Sequence, residues 1–219
     1  MLQLHYFPGN ASLTPHMLLE ELGVPYELKL VDRNKGEHKL PEYLRLNPNG
    51  LIPVLVQTGD DGELVLYETA AICLHLADTH PQAGLAPALG SVQRAHFYKW
   101  LIWSTNTMQA MLTHYFYSGR MVDEGDADAA AQVKAHAEKM VGEMLKQLDA
   151  ELARHGKPWL LGDSFSVVDL YTLMLCRWTR SFTRPARDFE HLGPYLARVL
   201  ARPAVQRAFA QEKIAAPLV

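Results

Sequence analysis

The chain has 219 residues, 48% hydrophobic and 21% charged, enough for one large domain or two small ones, each with its own core. A formal charge of −3 gives no reason to expect nucleic acid, which usually requires a basic face, although a local pocket on an acidic protein can still take a small anion. No apolar run approaches the length that spans a bilayer, and the amino terminus lacks the basic flank and apolar stretch of a secretory signal. A cytoplasmic protein without membrane or nucleic-acid partners is therefore expected.

The first eighty residues alternate between strand and helix signals. Leu2–Phe7 and Tyr26–Val31 are short, apolar and alternating, as half-buried strands are. Between them Leu13–Leu22 carries apolar residues at helical spacing, and Gly23 stands where a helix stops. Pro41–Leu46 predicts a short helix. Ile52–Val56 and Leu64–Tyr67 flank Gly-Asp-Asp-Gly at 59–62, a hairpin signal. Glu68–Asp78 predicts a third helix. The order implies one parallel strand pairing followed by an antiparallel hairpin, in a small α/β domain over residues 1–80.

Residues 81–90, PQAGLAPALG, have no clear period and predict a linker. Strand signals then vanish. Helices are predicted over Ser91–Tyr117, Ala127–His155, Ser166–Phe182, Glu190–Leu200 and Pro203–Gln211, giving an all-helical domain over 91–219. Ser166 and Asp169 have the spacing of a capping box, flanked by Phe165 and Leu170 at staple positions. Cys73 and Cys176 lie far apart in apolar helical contexts. They form neither a redox pair nor a zinc site, so two buried thiols and no metal are expected.

The run HYFPGNASLTPH, residues 5–16, places a phenol (Tyr6), an amide (Asn10) and a hydroxyl (Ser12) at one strand-to-helix turn. Downstream, NPNGLIPVL (47–55) is followed by LYETAAICLHLAD (66–78), and PWLLGDSFSVVDLYTL occupies 158–173. Together these resemble the two halves of cytosolic glutathione transferases, in order and across essentially the whole chain. The resemblance implies a thioredoxin-like α/β domain that binds glutathione, an all-α domain that supplies a hydrophobic substrate site, and a homodimer.

It also implies residue roles. In the family, the proline matching Pro53 is cis and leaves the backbone of Ile52 free to pair with glutathione as with a short added strand. Thr69, at a helix start, is expected to bind the γ-glutamyl carboxylate and Glu68 the neighbouring ammonium. His38 and Lys39 resemble the phi-class pair that holds the glycyl carboxylate. The thiol needs a donor to become a thiolate near neutral pH. Ser12 is expected to supply it, with Tyr6 and Asn10 as rivals. Tyr6-Phe7-Pro8 resembles the pi-class segment, but the Arg-Gly that follows there is absent.

The bacterial beta class carries a cysteine before this serine, where the present chain has Ala11, and a His-Lys pair where it has Gln109 and Ala110. The electrophile is expected between the domains, against Trp103, Thr107, Met111 and Tyr115, one helical face by spacing. Asn106 is a candidate to reach the site across a dimer. The expected activity is glutathione transfer to a hydrophobic electrophile. Alternatives are another glutathione-dependent enzyme (peroxidase, dehalogenase or isomerase) or a non-catalytic binding protein of the same fold.

Overall fold

The computed structural model describes residues 1–60 and 62–219. Of the Gly-Asp-Asp-Gly turn, Asp61 lies outside the described residues. Strand β1 (Leu2–Tyr6) runs parallel to β2 (Tyr26–Leu30) and antiparallel to β3 (Val54–Gly59), which runs antiparallel to β4 (Gly62–Tyr67). The sheet order is β2-β1-β3-β4. Helix α1 (Leu13–Leu22) makes the crossover between the parallel strands. It ends at Gly23, whose φ of +65° is the left-handed turn that glycine allows.

Alternation assigns the two faces. Leu4 and its partner Leu55 are fully buried on one side, against α1 and α3 (Thr69–Thr79). On the other, Val54 and Val56 cluster with Val31, Ile52 and Tyr43 of α2 (Pro41–Leu44), and Phe7 packs against them. β3 begins at Val54 rather than at the expected Ile52, because Pro53 brings no N–H to a ladder; the Ile52–Pro53 peptide is cis.

The helical segments are α4 (Val92–Trp103), α5 (Ala110–Phe116), α6 (Ala127–His155), α7 (Val167–Trp178) and α8 (Leu192–Leu200). α7 is buried along its first eleven residues and is the core of this unit. The capping box is present: Asp169 accepts the Ser166 N–H at 2.8 Å, and it also accepts the Leu160 N–H and the Tyr195 hydroxyl. Burial pushes the Asp169 carboxyl up to about 6, against these hydrogen bonds, which pull it down.

Two expectations change. The single helix over 91–117 is interrupted at Ser104–Gln109 by a wide π turn, in which the Ala110 N–H reaches back to the Thr105 carbonyl. The division into compact units also differs from 1–80 and 91–219. One unit comprises 1–86 with 201–215, the other 87–200 with 216–219. Helix α9 (Pro203–Gln211) therefore belongs with the sheet, against α1. The cause is a set of contacts to α1: Arg202 grips Glu21 in a fork at 2.5 and 2.7 Å, Arg207 pairs with Glu20, and Ala204, Val205, Ala208 and Phe209 are buried. Among the described residues no helix is long and apolar enough to cross a membrane, and no cluster of His, Cys, Asp or Glu is placed to hold a metal.

Candidate active site

The ladder gathers three strand ends at one end of the sheet. His5 faces Val54, and Val54 faces Tyr67. Just beyond these pairs Tyr6 ends β1, Pro53 immediately precedes β3 and Glu68 immediately follows β4. Glu68 is exposed and has φ +73°, a left-handed conformation that a non-glycine residue rarely adopts and that clusters at functional sites. Thr69 follows it, nearly buried, at the first position of α3. The opening N–H groups of a helix lack intrahelical acceptors and favour an anion.

The loop before Pro53 is tightly constrained. Gly50 has φ +59°, and a side chain there would meet Lys39 Nζ at 2.7 Å and the His38 carbonyl at 2.8 Å. The exposed Lys39 therefore lies over the loop, with Nζ donating to the Asn49 carbonyl at 3.3 Å. His38 and Lys39 share the short turn Glu37–Lys39. Lys39, the Ile52–Pro53 peptide and the Glu68–Thr69 step thus all belong to the same unit.

At the strand-to-helix turn the three expected donors differ in what they already bond. Ser12 is fully buried, and its hydroxyl donates to the Phe7 carbonyl at 3.1 Å while accepting the Phe7 N–H at 3.2 Å. A hydroxyl has one proton, so in this arrangement Ser12 has none to give a thiolate. Nor does it cap α1, since its backbone is already helical and no cap bond forms. Asn10 is half-buried, with Oδ1 accepting the Ala11 N–H at 2.5 Å. Among the described residues nothing accepts from its NH2. Tyr6 meets His16 edge-on at 6.2 Å, and burial followed by the Glu212 charge pushes its phenol up, so that it stays a neutral donor.

A buried network underlies this turn that sequence reasoning missed. His16 Nδ1 lies 2.7 Å from Glu212 Oε1, with both side chains fully shielded, and Glu212 Oε2 accepts the Gly9 N–H at 2.8 Å. His16 Nε2 lies 2.8 Å from Gln211 Oε1. No motif flags a pair separated by 196 positions. The one hint was a histidine within the apolar first two turns of α1.

In the helical unit Trp103, Thr107, Met111 and Tyr115 are all half-buried, but the π turn lies between the first and the last two and alters the face that simple spacing assigns. Tyr115 packs on Phe182 at 4.5 Å and under the Lys134 ammonium, and Trp103 packs edge-on to Trp100. Asn106 is exposed. Gln109 accepts the buried Tyr171 hydroxyl at 2.5 Å. Both cysteines are fully buried, and burial pushes their thiols up.

A mixed four-stranded sheet with a cis proline opening β3, together with a separate all-helical unit, defines the thioredoxin-like class of fold that glutathione transferases share. Residues 11–79 match the model of the glutathione S-transferase N-terminal domain, and residues 105–203 that of the C-terminal domain. The glutathione S-transferase GST-4.5 of Xanthomonas campestris is 30% identical over 96% of this chain and 98% of its own length. The disulfide-bond oxidoreductase YfcG of Escherichia coli is 27% identical over 98% and 97%. The solved structure of a sphingomonad glutathione S-transferase complexed with glutathione aligns with a TM-score of 0.81 at 32% identity, covering 97% of this chain and all of that one. The chain belongs to the glutathione S-transferase family.

Proposed function

We propose that this protein binds glutathione along the Ile52–Pro53 edge and activates its thiol for attack on a hydrophobic electrophile. The observation that carries the reading is the convergence of Tyr6, Pro53 and the left-handed Glu68 at one end of the sheet. Ile52 pairs with the peptide backbone of glutathione, and Glu68 takes its ammonium. The start of α3 at Thr69 takes the γ-glutamyl carboxylate, and Lys39 with His38 takes the glycyl carboxylate. Asn10 is the first donor to the thiolate and Tyr6 the second. Ser12 shapes the turn on which Asn10 stands. A free thiol ionises near pH 8.5, and well-placed donors bring it toward neutrality. Trp103, Thr107, Met111 and Tyr115 offer apolar surface to the electrophile, with methionine adapting to varied shapes. The same reading takes the protein as a cytoplasmic homodimer, which light scattering tests, with Asn106 at the subunit boundary.

Titration calorimetry decides the first step: saturable binding of glutathione at millimolar ligand is expected, and no heat of binding would overturn the reading. Conjugation of an aromatic halide, followed by absorbance, tests the second step.

A second reading has support from the likeness to YfcG. Two glutathione molecules would reduce a disulfide, giving one oxidised glutathione and two product thiols. With Ala11 in the turn and both cysteines buried, all sulfur chemistry would then belong to the ligands. Reduction of a small disulfide faster than conjugation of any electrophile would favour it.

A further inference from the structure

Tyr43 and Asn47 belong to no part of the site described so far, yet both aim at the same atom. Tyr43 Oη donates to the Leu51 carbonyl oxygen at 2.8 Å, and Asn47 Nδ2 donates to the same oxygen at 2.8 Å. Both side chains are almost wholly buried, at 6% and 2% exposure. Two donors occupy both lone pairs of one carbonyl, so that oxygen is fixed toward the interior. The Leu51–Ile52 peptide is trans, since the cis bonds are elsewhere. In a planar trans peptide the N–H points opposite to the C=O. With the Leu51 oxygen turned inward, the Ile52 N–H is turned away from Tyr43 and Asn47. A carbonyl that accepts two bonds also polarises its own peptide, making the N–H a stronger donor.

The donors are themselves held. Asn47 Oδ1 accepts the Asn49 N–H at 3.1 Å, which fixes which end of the amide carries the protons. Its backbone N–H donates to the Tyr43 carbonyl, and its own carbonyl accepts the Gly50 N–H. Burial pushes the Tyr43 phenol up, so it remains a donor throughout the range in which glutathione works.

We infer that Tyr43 and Asn47 are positioning residues for glutathione: through the Leu51 carbonyl they aim and strengthen the Ile52 N–H that pairs with the cysteinyl backbone of the ligand. The inference rests on the proposed glutathione site. Its distinct content is that two buried side chains which never touch the ligand set its affinity.

The test uses the full chain with glutathione as ligand. Tyr43→Phe removes a single oxygen and is expected to raise KM and the calorimetric Kd for glutathione about fivefold. Asn47→Ala is expected to do at least as much, and the double variant more than either. kcat at saturating glutathione and the pKa of the bound thiol should stay at the wild-type values, because neither residue reaches the sulfur. Ser166→Ala, a cap variant in the helical unit, serves as the control for lost stability. It should lower the melting temperature with no change in KM. Wild-type binding with unchanged Kd in Tyr43→Phe overturns the inference and leaves the glutathione site standing. A KM rise in Ser166→Ala equal to that in Tyr43→Phe at matched melting temperature also overturns it. Wild-type protein that binds no glutathione overturns both.

Discussion

Two serines stand at helix starts in this chain, and their environments differ. Ser166 has an extended backbone, and its side chain with that of Asp169 closes a full capping box at the head of α7. Ser12 has helical backbone angles, makes no cap, and turns its hydroxyl back to both polar groups of Phe7. The first serine specifies where a helix begins. The second closes a six-residue turn, Phe7 to Ser12, and that closure fixes how Asn10 is presented. A serine ahead of a helix is therefore a cap only if its backbone is extended, because a side-chain oxygen reaches the second or third N–H of the helix only from that conformation.

The turn at Ser12 also has a tether that the start of α7 lacks. Glu212, after α9, holds His16 of α1 and the Gly9 N–H from below. Removing the Glu212 carboxylate leaves His16 Nδ1 and the Gly9 N–H without their buried partner, at a cost of about 2–5 kcal/mol in all. Glu212→Ala is expected to lose that much in urea denaturation and to be the most damaging single change at the turn. A loss below about 1 kcal/mol would mean that α9 contributes packing alone.

The start of α7 breaks differently. Asp169→Ala leaves the N–H groups of Leu160 and Ser166 and the Tyr195 hydroxyl short of an acceptor in the core, costing about 3 kcal/mol in all. The same group gives the helical unit a pH signature. Its folded pKa of about 6 lies above the ordinary 3.8, so the folded state holds the proton more tightly than the unfolded state does. The stability it contributes is complete below about pH 4 and is lost as pH rises through about 6. Denaturation midpoints between pH 4 and 7 should fall in the wild type relative to Asp169→Asn, which cannot titrate. Parallel profiles would show that the hydrogen bonds at Asp169 outweigh its burial.

How much of this was legible in the sequence follows from how local each cause is. Helix α6 begins and ends where the pattern places it, because Asp126 caps its first turn and Gly156 takes φ +60° at its end. The cis proline and the Glu68–Thr69 step at the start of α3 were likewise signalled by short motifs. The placement of α9 was not, since its partners Glu20 and Glu21 lie more than 180 positions upstream. The π turn was hidden because an extra residue per turn leaves a buried stripe that still recurs every four positions, at Ser104, Met108 and Leu112. The bonding of Ser12 to Phe7 was hidden for a subtler reason. Residue type and position fit a thiol donor, and only the hydrogen-bond geometry reveals that its one proton is already committed.

The committed Ser12 proton separates the effects of Ser12 and Asn10 on stability and on chemistry. Ser12→Ala removes a reciprocal pair of bonds to Phe7 and should cost about 1–2 kcal/mol of stability. Asn10→Ala removes one local bond to the Ala11 N–H at a half-buried position and should cost less, about 0.5 kcal/mol. The order reverses for chemistry. Asn10 keeps an uncommitted NH2 at the turn, so Asn10→Ala should raise the pKa of bound glutathione by about one unit, equivalent to roughly 1.4 kcal/mol of lost thiolate stabilisation. Ser12→Ala should shift it by a few tenths at most, through a loosened turn. Ultraviolet titration of the bound thiolate in both variants measures the two shifts directly. If Ser12→Ala gives the larger one, the hydroxyl must leave Phe7 when glutathione binds. The bond that closes the turn in the free protein would then be the one the ligand replaces.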